Sequence, residues 1–316
     1  MKNMEKVKDI KIDGNMRIKD FINTLSNIGG FQAQELYRGY KVLEEMLNRK
    51  DLIKVISFPA DIVATGVRGI IKEVIKKKLF DIVITTCGTL DHDIARLEKD
   101  YFLGFFDADD IYLKEKNIMR LGNIFIPVEN YGITIEKFLK ERIKIVHKKI
   151  KEEKKDRIGT YEFIWYLGET LEDHPKKEES IIYWSYKNKI PIIIPGISDG
   201  AVGTQILFYK YENPDFNVDI WEDEKFLAKT FFGNKKAGAL VLGGGISKHH
   251  VIWWAQFCGG LEYAVYISSA IEQDGSLSGA KTKEAISWGK IKKSAKHVNI
   301  WGDATIIFPI IIAPFL

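Results

Sequence analysis

Cysteine is nearly absent from this sequence. The 316 residues contain two, Cys87 and Cys258, far apart and without any CxxC spacing. That excludes a disulfide framework and points to a reducing compartment, so a cytoplasmic location is expected. Long apolar runs are lacking too. The longest, residues 304–316, carries two prolines and falls short of the about 20 apolar residues that cross a bilayer, so it reads as a buried terminal element of a soluble protein with no membrane partner. The N-terminal MKNMEKVKDIKIDGN is charged and lacks the apolar core of a secretory signal. Charge of one sign is not in excess either: 47 basic against 43 acidic residues leave +4, too little and too dispersed for a nucleic-acid partner. The eight prolines are scattered, and no repeat or low-complexity linker appears. One domain over residues 1–316 is the expectation, with a core supplied by the 46% of residues that are apolar.

What is present alternates. Residues 31–46 carry apolar side chains at helical spacing after Gly29-Gly30, and LIKVISF (52–58) is a short β-branched run of strand type. Residues 63–78 return to helical period, and DIVITT (81–86) reads as a fully apolar strand. Further apolar runs lie at 190–195, 237–243 and 262–268, with helical segments between them, and the charge-rich residues 140–156 read as a long helix with a solvated face. Fully apolar strands alternating with helices predict an α/β fold, Rossmann-like, with a mostly parallel sheet covered by helices on both faces. Ligands of such sheets sit where strands run out into loops. The chemistry-bearing residues gather there: TTCG, GISDG, LGGGISKHH and ISSAIEQDG each follow a strand.

LGGGISKHH (242–250) puts three glycines between a strand and a helix, where backbone N–H groups can approach a pyrophosphate. A simple tight turn is the other reading, since the segment is not the GxGxxG fingerprint. His249 and His250 have no Cys, Asp or Glu nearby to complete a tetrahedral set, so no metal site is expected, and one histidine as acid/base or as a structural group is preferred. DGSLSGAKTKEAISWGKIKK (274–293) gathers Gly, Ser, Glu284, Trp288 and Lys290. Trp288 can desolvate Lys290, and Lys292 and Lys293 can disfavour its protonation, the two routes to a nucleophilic amine. Glu284 and Trp288 suit a cationic alkylamine, by ion pairing and cation–π contact. Asp199 and Asp303 follow apolar runs and serve either as ribose acceptors or as helix N-caps.

GGGISKHH, YAVYISSAIEQDGSLSGAKTKEAISWGKI and DATIIFP together resemble the C-terminal half of deoxyhypusine synthase. GGFQAQEL, TGVR (65–68), DIVITTCGTLDHD, RLGNIFIPVENY and the SDG element are similar to its N-terminal half, in the same order and over nearly the whole chain. The chain is identified as a member of that family, of archaeal type. The resemblance implies a transferase with NAD as cofactor, which moves the aminobutyl group of spermidine, by way of an enzyme-lysine imine, to one lysine of the translation initiation factor 5A precursor. It implies Lys290 as the nucleophile and His249 as acid/base and amine contact. It implies polyamine contacts at Gly275, Ser276, Ser278, Glu284 and Trp288. NAD contacts are implied at Thr86, Gly88, Asp199, Gly243, Gly244, Gly245, Ser269, Asp274, Asp303, Ala304 and Thr305. It further implies a homotetramer, a dimer of dimers.

Some positions depart from the eukaryotic pattern of the family. Thr204 and Leu277 stand where carboxylates bind polyamine, His92 replaces a glutamate, and Ala60, Asp61 and Ala64 lack the Ser/Asn groups that touch NAD. The two lost carboxylates leave agmatine open as donor and putrescine open as acceptor, the latter making a homospermidine synthase-like enzyme. A non-catalytic paralogue is disfavoured because Lys290, His249 and Glu284 are all present. A generic NAD-dependent dehydrogenase leaves the SWGK segment unexplained.

Overall fold

The computed structural model describes residues 6–233 and 235–316; residues 1–5, where the charged N-terminal stretch begins, lie outside them. Helix α1 (Ile18–Ile28) stops where Gly29 turns left-handed at φ 71°, a conformation glycine adopts without steric cost. Helix α2 (Phe31–Asn48) and strand β1 (Ile53–Ser57) follow. From Phe58 to Thr230 the chain builds a second compact unit. In order it contains α3 (Val67–Lys76), β2 (Ile82–Ile84), α4 (Gly88–Glu98), β3 (Phe102–Leu103), α5 (Asp110–Glu115), β4 (Ile118–Leu121) and β5 (Ile124–Pro127). It continues with α6 (Gly132–Glu152), α7 (Thr160–Glu169), α8 (Ile181–Asn188), β6 (Ile192–Ile193) and α9 (Ala201–Glu212), and α10 (Ile220–Phe231) carries the chain out of it. The remainder is β7 (Ala237–Leu242), α11 (Gly245–Ala255), β8 (Leu261–Ser268), α12 (Thr282–Ser287), β9 (Ile291–Trp301) and α13 (Ala304–Ile312).

The described residues up to Ser57 form one unit with Phe231–Leu316. Its strands lie in the order β1-β7-β8-β9, and every pair is parallel: Ile53 aligns with Ala237, Gly238 with Tyr263 and Val265 with Val298. All six residues of β7 are buried, which a parallel strand covered on both faces requires. The two covers separate on β8. Tyr263 faces α2, where its hydroxyl donates to Glu45 Oε1 (2.8 Å) and accepts from Arg49 Nη1 (3.2 Å). Tyr266, an odd number of residues further and so on the opposite face, lies under Lys248 of α11, whose Nζ is 4.5 Å from the ring centroid. The α/β class, the parallel strands and the helices on both faces are thus as the apolar pattern implies. The terminal apolar run is α13, with Ile307, Phe308, Ile311 and Ile312 buried.

The second unit pairs β2 with β6 in parallel (Val83 with Ile192) and adds a small antiparallel sheet in the order β3-β5-β4. Buried carboxylates organise its helices. Asp91 accepts from Ala201 N (2.9 Å), Val202 N (2.8 Å) and Tyr131 Oη (2.8 Å), so it caps α9 from α4. His92 beside it shares a hydrogen bond with Tyr101 Oη (3.0 Å), and burial pushes its imidazole down to about 4, which keeps it neutral. Asp223 of α10 accepts from Thr160 N (3.1 Å) and Tyr161 N (3.4 Å) at the start of α7.

Burial pushes the Asp223 carboxyl up to about 7, against the pull of the Thr160 and Tyr161 hydrogen bonds. A carboxyl raised in the folded state binds its proton there while the unfolded chain has already released it. Stability therefore falls as pH rises from the ordinary carboxylate range towards 7. A rise of that size limits the loss to at most about 4 kcal/mol. Asp223→Asn is expected to raise the urea-unfolding free energy over the parent at pH 8, and to match the parent at pH 4. An equal difference at both pH values would show that burial does not penalise this carboxylate.

No helix among the described residues is long and apolar enough to cross a membrane. Cys87 and Cys258 are both free and buried.

Candidate active site

The glycine run after β7 is dictated by backbone geometry. Gly243 and Gly245 both have φ 66°, and a Cβ on Gly244 would collide with Ser278 of the loop after β8. Gly244 is also the N-cap of α11, and a glycine brings no side chain to cap that helix start. The first N–H groups of α11 are therefore available to an anion, with the helix dipole behind them. Ser269 follows β8, and Asp303, Ala304 and Thr305 follow β9. They share the carboxyl end of this unit's parallel strands with the glycine turn. Asp303 is an N-cap: its Oδ1 accepts from Thr305 N (2.7 Å) and Thr305 Oγ1 (2.9 Å). Its second oxygen makes no hydrogen bond among the described residues, so capping and ribose binding are compatible. Asp274 is exposed and accepts from Ser276 N at 2.6 Å, and the Ser276 hydroxyl first, then that N–H, hold its carboxyl below the usual range.

In the second unit, Thr86 lies between β2 and α4, where its Oγ1 accepts from Ala60 N (3.2 Å), and Gly88 is the first residue of α4. Asp199 is exposed in the loop from β6 to α9. These three also occupy strand carboxyl ends of their own unit.

Lys290 precedes β9 and is 9% exposed. Its backbone is fixed on both sides, by its N–H to Ala285 O (2.9 Å) and by its carbonyl, which accepts from Leu261 N (3.0 Å). Its Nζ lies 5.4 Å from the Trp288 ring centroid and 6.0 Å from that of Trp253. It opens on a cavity of about 430 Å³ whose wall also includes His249, Glu284 and Tyr266. His249 stacks on Trp253, one helical turn further along α11, with centroids 6.0 Å apart and planes at 25°. Burial first, then the charges of Lys290 and His250, lower the His249 imidazole below its ordinary value, so it is neutral and able to take a proton near neutral pH.

Four of the sequence-derived residues thus meet at one cavity: Lys290, His249, Glu284 and Trp288. Gly275, Ser276 and Ser278 do not line it. Gly275 and Ser276 are exposed, and Ser278 packs on the glycine turn. The environment of Lys290 differs from the expected one. Trp288 is 68% exposed and covers the lysine from one side, leaving Trp253 to complete the aromatic wall. Lys292 is paired with Glu262 (2.8 Å), so its charge is compensated.

Trp253, Tyr266 and Lys248 also stand in the wall, outside the motif residues. Trp253 had a signal, since an i, i+4 step from His249 puts both on one helix face. Tyr266 is buried with its hydroxyl unpartnered among the described residues, and Lys248 is buried with its pKa pushed down to about 8 by burial, against the raising effect of Glu284. Neither is visible without the fold. Leu277 does line the cavity, so the lost acidic side chain bears directly on it, and Glu284 is the one carboxylate in its wall among the described residues.

Fold and cavity together define an α/β protein with a lysine amine set in an aromatic wall. The family model for deoxyhypusine synthase matches residues 20–315. The chain belongs to the deoxyhypusine synthase family, and it is a transferase. Similar proteins named as deoxyhypusine synthases include one from Picrophilus torridus, 50% identical over 99% of this chain and 97% of the relative. Another, from Thermoplasma volcanium, is 48% identical over 98% of this chain and 97% of its own. A crystal structure described as that of a deoxyhypusine synthase from Entamoeba histolytica superposes with a TM-score of 0.61. It covers 97% of this chain and 96% of its own at 18% identity, a likeness of fold.

Proposed function

We propose that the protein transfers the 4-aminobutyl group of spermidine to a specific lysine of the translation initiation factor 5A precursor, with NAD as cofactor and Lys290 as the covalent carrier. The observation that carries this reading is the placement of Lys290 Nζ in a cavity walled by Trp253, Trp288, His249 and Glu284. Family membership supports the substrates.

The open N-terminus of α11 with Gly243, Gly244 and Gly245 fits the diphosphate of NAD, and the free oxygen of Asp303 fits a ribose hydroxyl. Ser269, Asp274, Ala304 and Thr305, which share that unit, are the other proposed contacts. Bound NAD supplies a hydride acceptor for the carbon next to the secondary amine, and later the hydride that reduces the product. Glu284 pairs with the cationic end of the amine, and the Trp288 face holds it by cation–π attraction. His249 takes the proton that the secondary amine sheds. The Lys290 amine attacks the oxidised carbon, the C–N bond to diaminopropane breaks, and His249 returns the proton to that leaving amine. The acceptor lysine then displaces Lys290 from the same carbon, so the enzyme's amine is regenerated.

The test is label transfer from butyl-labelled spermidine and, in parallel, from labelled agmatine, with NAD and with or without the factor 5A precursor. Label in the precursor is the expected result, and its source names the donor. Because Leu277 removes a carboxylate from the cavity, label only in small amines is the alternative outcome, making the enzyme homospermidine synthase-like with putrescine as acceptor. No label in any arm overturns the reading. A homotetramer of tight dimers is the assembly we expect by light scattering.

A further inference from the structure

Lys248, next to His249 on α11, is 2% exposed, which places it among the largest fully buried side chains of the protein. Its Nζ donates to Leu277 O and to Ala280 O, both at 2.6 Å, and lies over the Tyr266 ring. No carboxylate forms an ion pair with it among the described residues. A buried ammonium without a direct ion pair costs free energy that an apolar side chain of the same length would not. Stability is therefore a poor reason for a lysine at this position.

What the ammonium touches gives a better one. The chain between β8 and α12 has little regular structure, so its carbonyls lack ladder partners. Lysine has three donors on a reach long enough to serve two of those carbonyls at once. The tied stretch holds Ser278 against the glycine turn and runs straight into α12. That helix carries Glu284, and Trp288 is its C-cap. On the other side, α11 carries His249 and Trp253.

We propose that Lys248 is a positioning residue: by tying the Leu277 and Ala280 carbonyls to α11, it sets the distance between the two walls of the cavity and so the grip of Glu284 and Trp288 on the amine. The inference rests on the reading of that cavity as the amine site. It differs from a catalytic role, since Lys248 acts through the backbone of a neighbouring segment.

The test compares the full-length protein with Lys248→Met, which keeps the stem and loses the donors, and with Lys248→Arg, which keeps donors and charge. Spermidine binding is measured by calorimetry in the presence of NAD, alongside KM and kcat for label transfer and a thermal melt. Expected for Lys248→Met is a rise in both spermidine Kd and KM of about ten-fold, the equivalent of about 1.4 kcal/mol, with kcat changed less than KM. Lys248→Arg is expected to recover part of that loss. A methionine variant with unchanged spermidine Kd overturns the inference, whatever its melting temperature, as does one whose kcat alone falls. Should Lys248→Met not fold, the arginine variant decides by the same readings: a spermidine Kd and KM raised by less than about ten-fold, with kcat changed less than KM, supports the inference, and an unchanged spermidine Kd overturns it, whether or not kcat falls. Failure of the parent protein to bind any spermidine would instead remove the amine-site reading itself.

Discussion

Lys290→Ala is expected to transfer no label from spermidine to the factor 5A precursor, a loss of about 10⁴-fold or more, while its affinity for NAD stays within about two-fold of the parent's. The loss is large because the truncation removes the only group proposed to carry the aminobutyl chain between donor and acceptor. Cofactor affinity is spared because the glycine turn, Ser269 and Asp303 depend on strands whose geometry does not use the Lys290 side chain. The backbone bonds of Lys290 to Ala285 and Leu261 survive the change. Lys290→Arg separates charge from nucleophilicity. A guanidinium keeps a cation against the indoles but stays protonated and cannot attack, so this variant should be as inactive as alanine. Release of diaminopropane with NADH by the alanine variant, without label on any acceptor, would place the lysine after hydride removal. Normal turnover in either variant would sink the covalent route.

How much of this was readable from sequence follows from where each residue is buried. β1, β7 and β8 announce themselves because both faces of a covered parallel strand must be apolar. β9 does not, since Lys292, Lys293 and Lys296 interrupt its pattern. It pairs only with β8 within its unit, and edge strands favour lysine. The helix read over residues 63–78 begins only at Val67, because Ala60–Ala64 form a 3-10 turn and Thr65 Oγ1 takes the Val67 N–H (3.1 Å). The small antiparallel sheet was hidden because strands of two to four residues are too short to show a period. At the site, motif spacing located Lys290, Glu284 and Trp288, yet it assigned to Trp288 a covering task shared with Trp253. Sequence proximity favours neighbours on the same segment, whereas this wall is completed from α11. Lys248 was legible only as one of many lysines until its depth and its two carbonyl partners were known.

Asp93→Ala is expected to lower the unfolding free energy by about 4 kcal/mol or more, read from urea unfolding. Asp93 is fully buried on α4. Its carboxylate accepts from Arg68 Nε (2.8 Å), Ser180 Oγ (2.8 Å) and Ile182 N (3.0 Å), so one side chain joins α3, α4 and the start of α8 within the second unit. Alanine leaves the Arg68 guanidinium buried without its counter-ion, which dominates the cost, because breaking one side of a buried pair costs about 3–5 kcal/mol. It also frees the Ile182 N–H and the hydroxyl of Ser180, whose oxygen caps α8 at Tyr183 N (3.1 Å), a further loss of about 1 kcal/mol. Arg68→Met alone strands the carboxylate instead, but Ser180 and Ile182 still bond it, so its cost should be smaller. The double variant should lose less than the sum of the two, since once one charge is gone the other is the source of the penalty. Additive losses would show that Arg68 and Asp93 act independently despite their 2.8 Å contact.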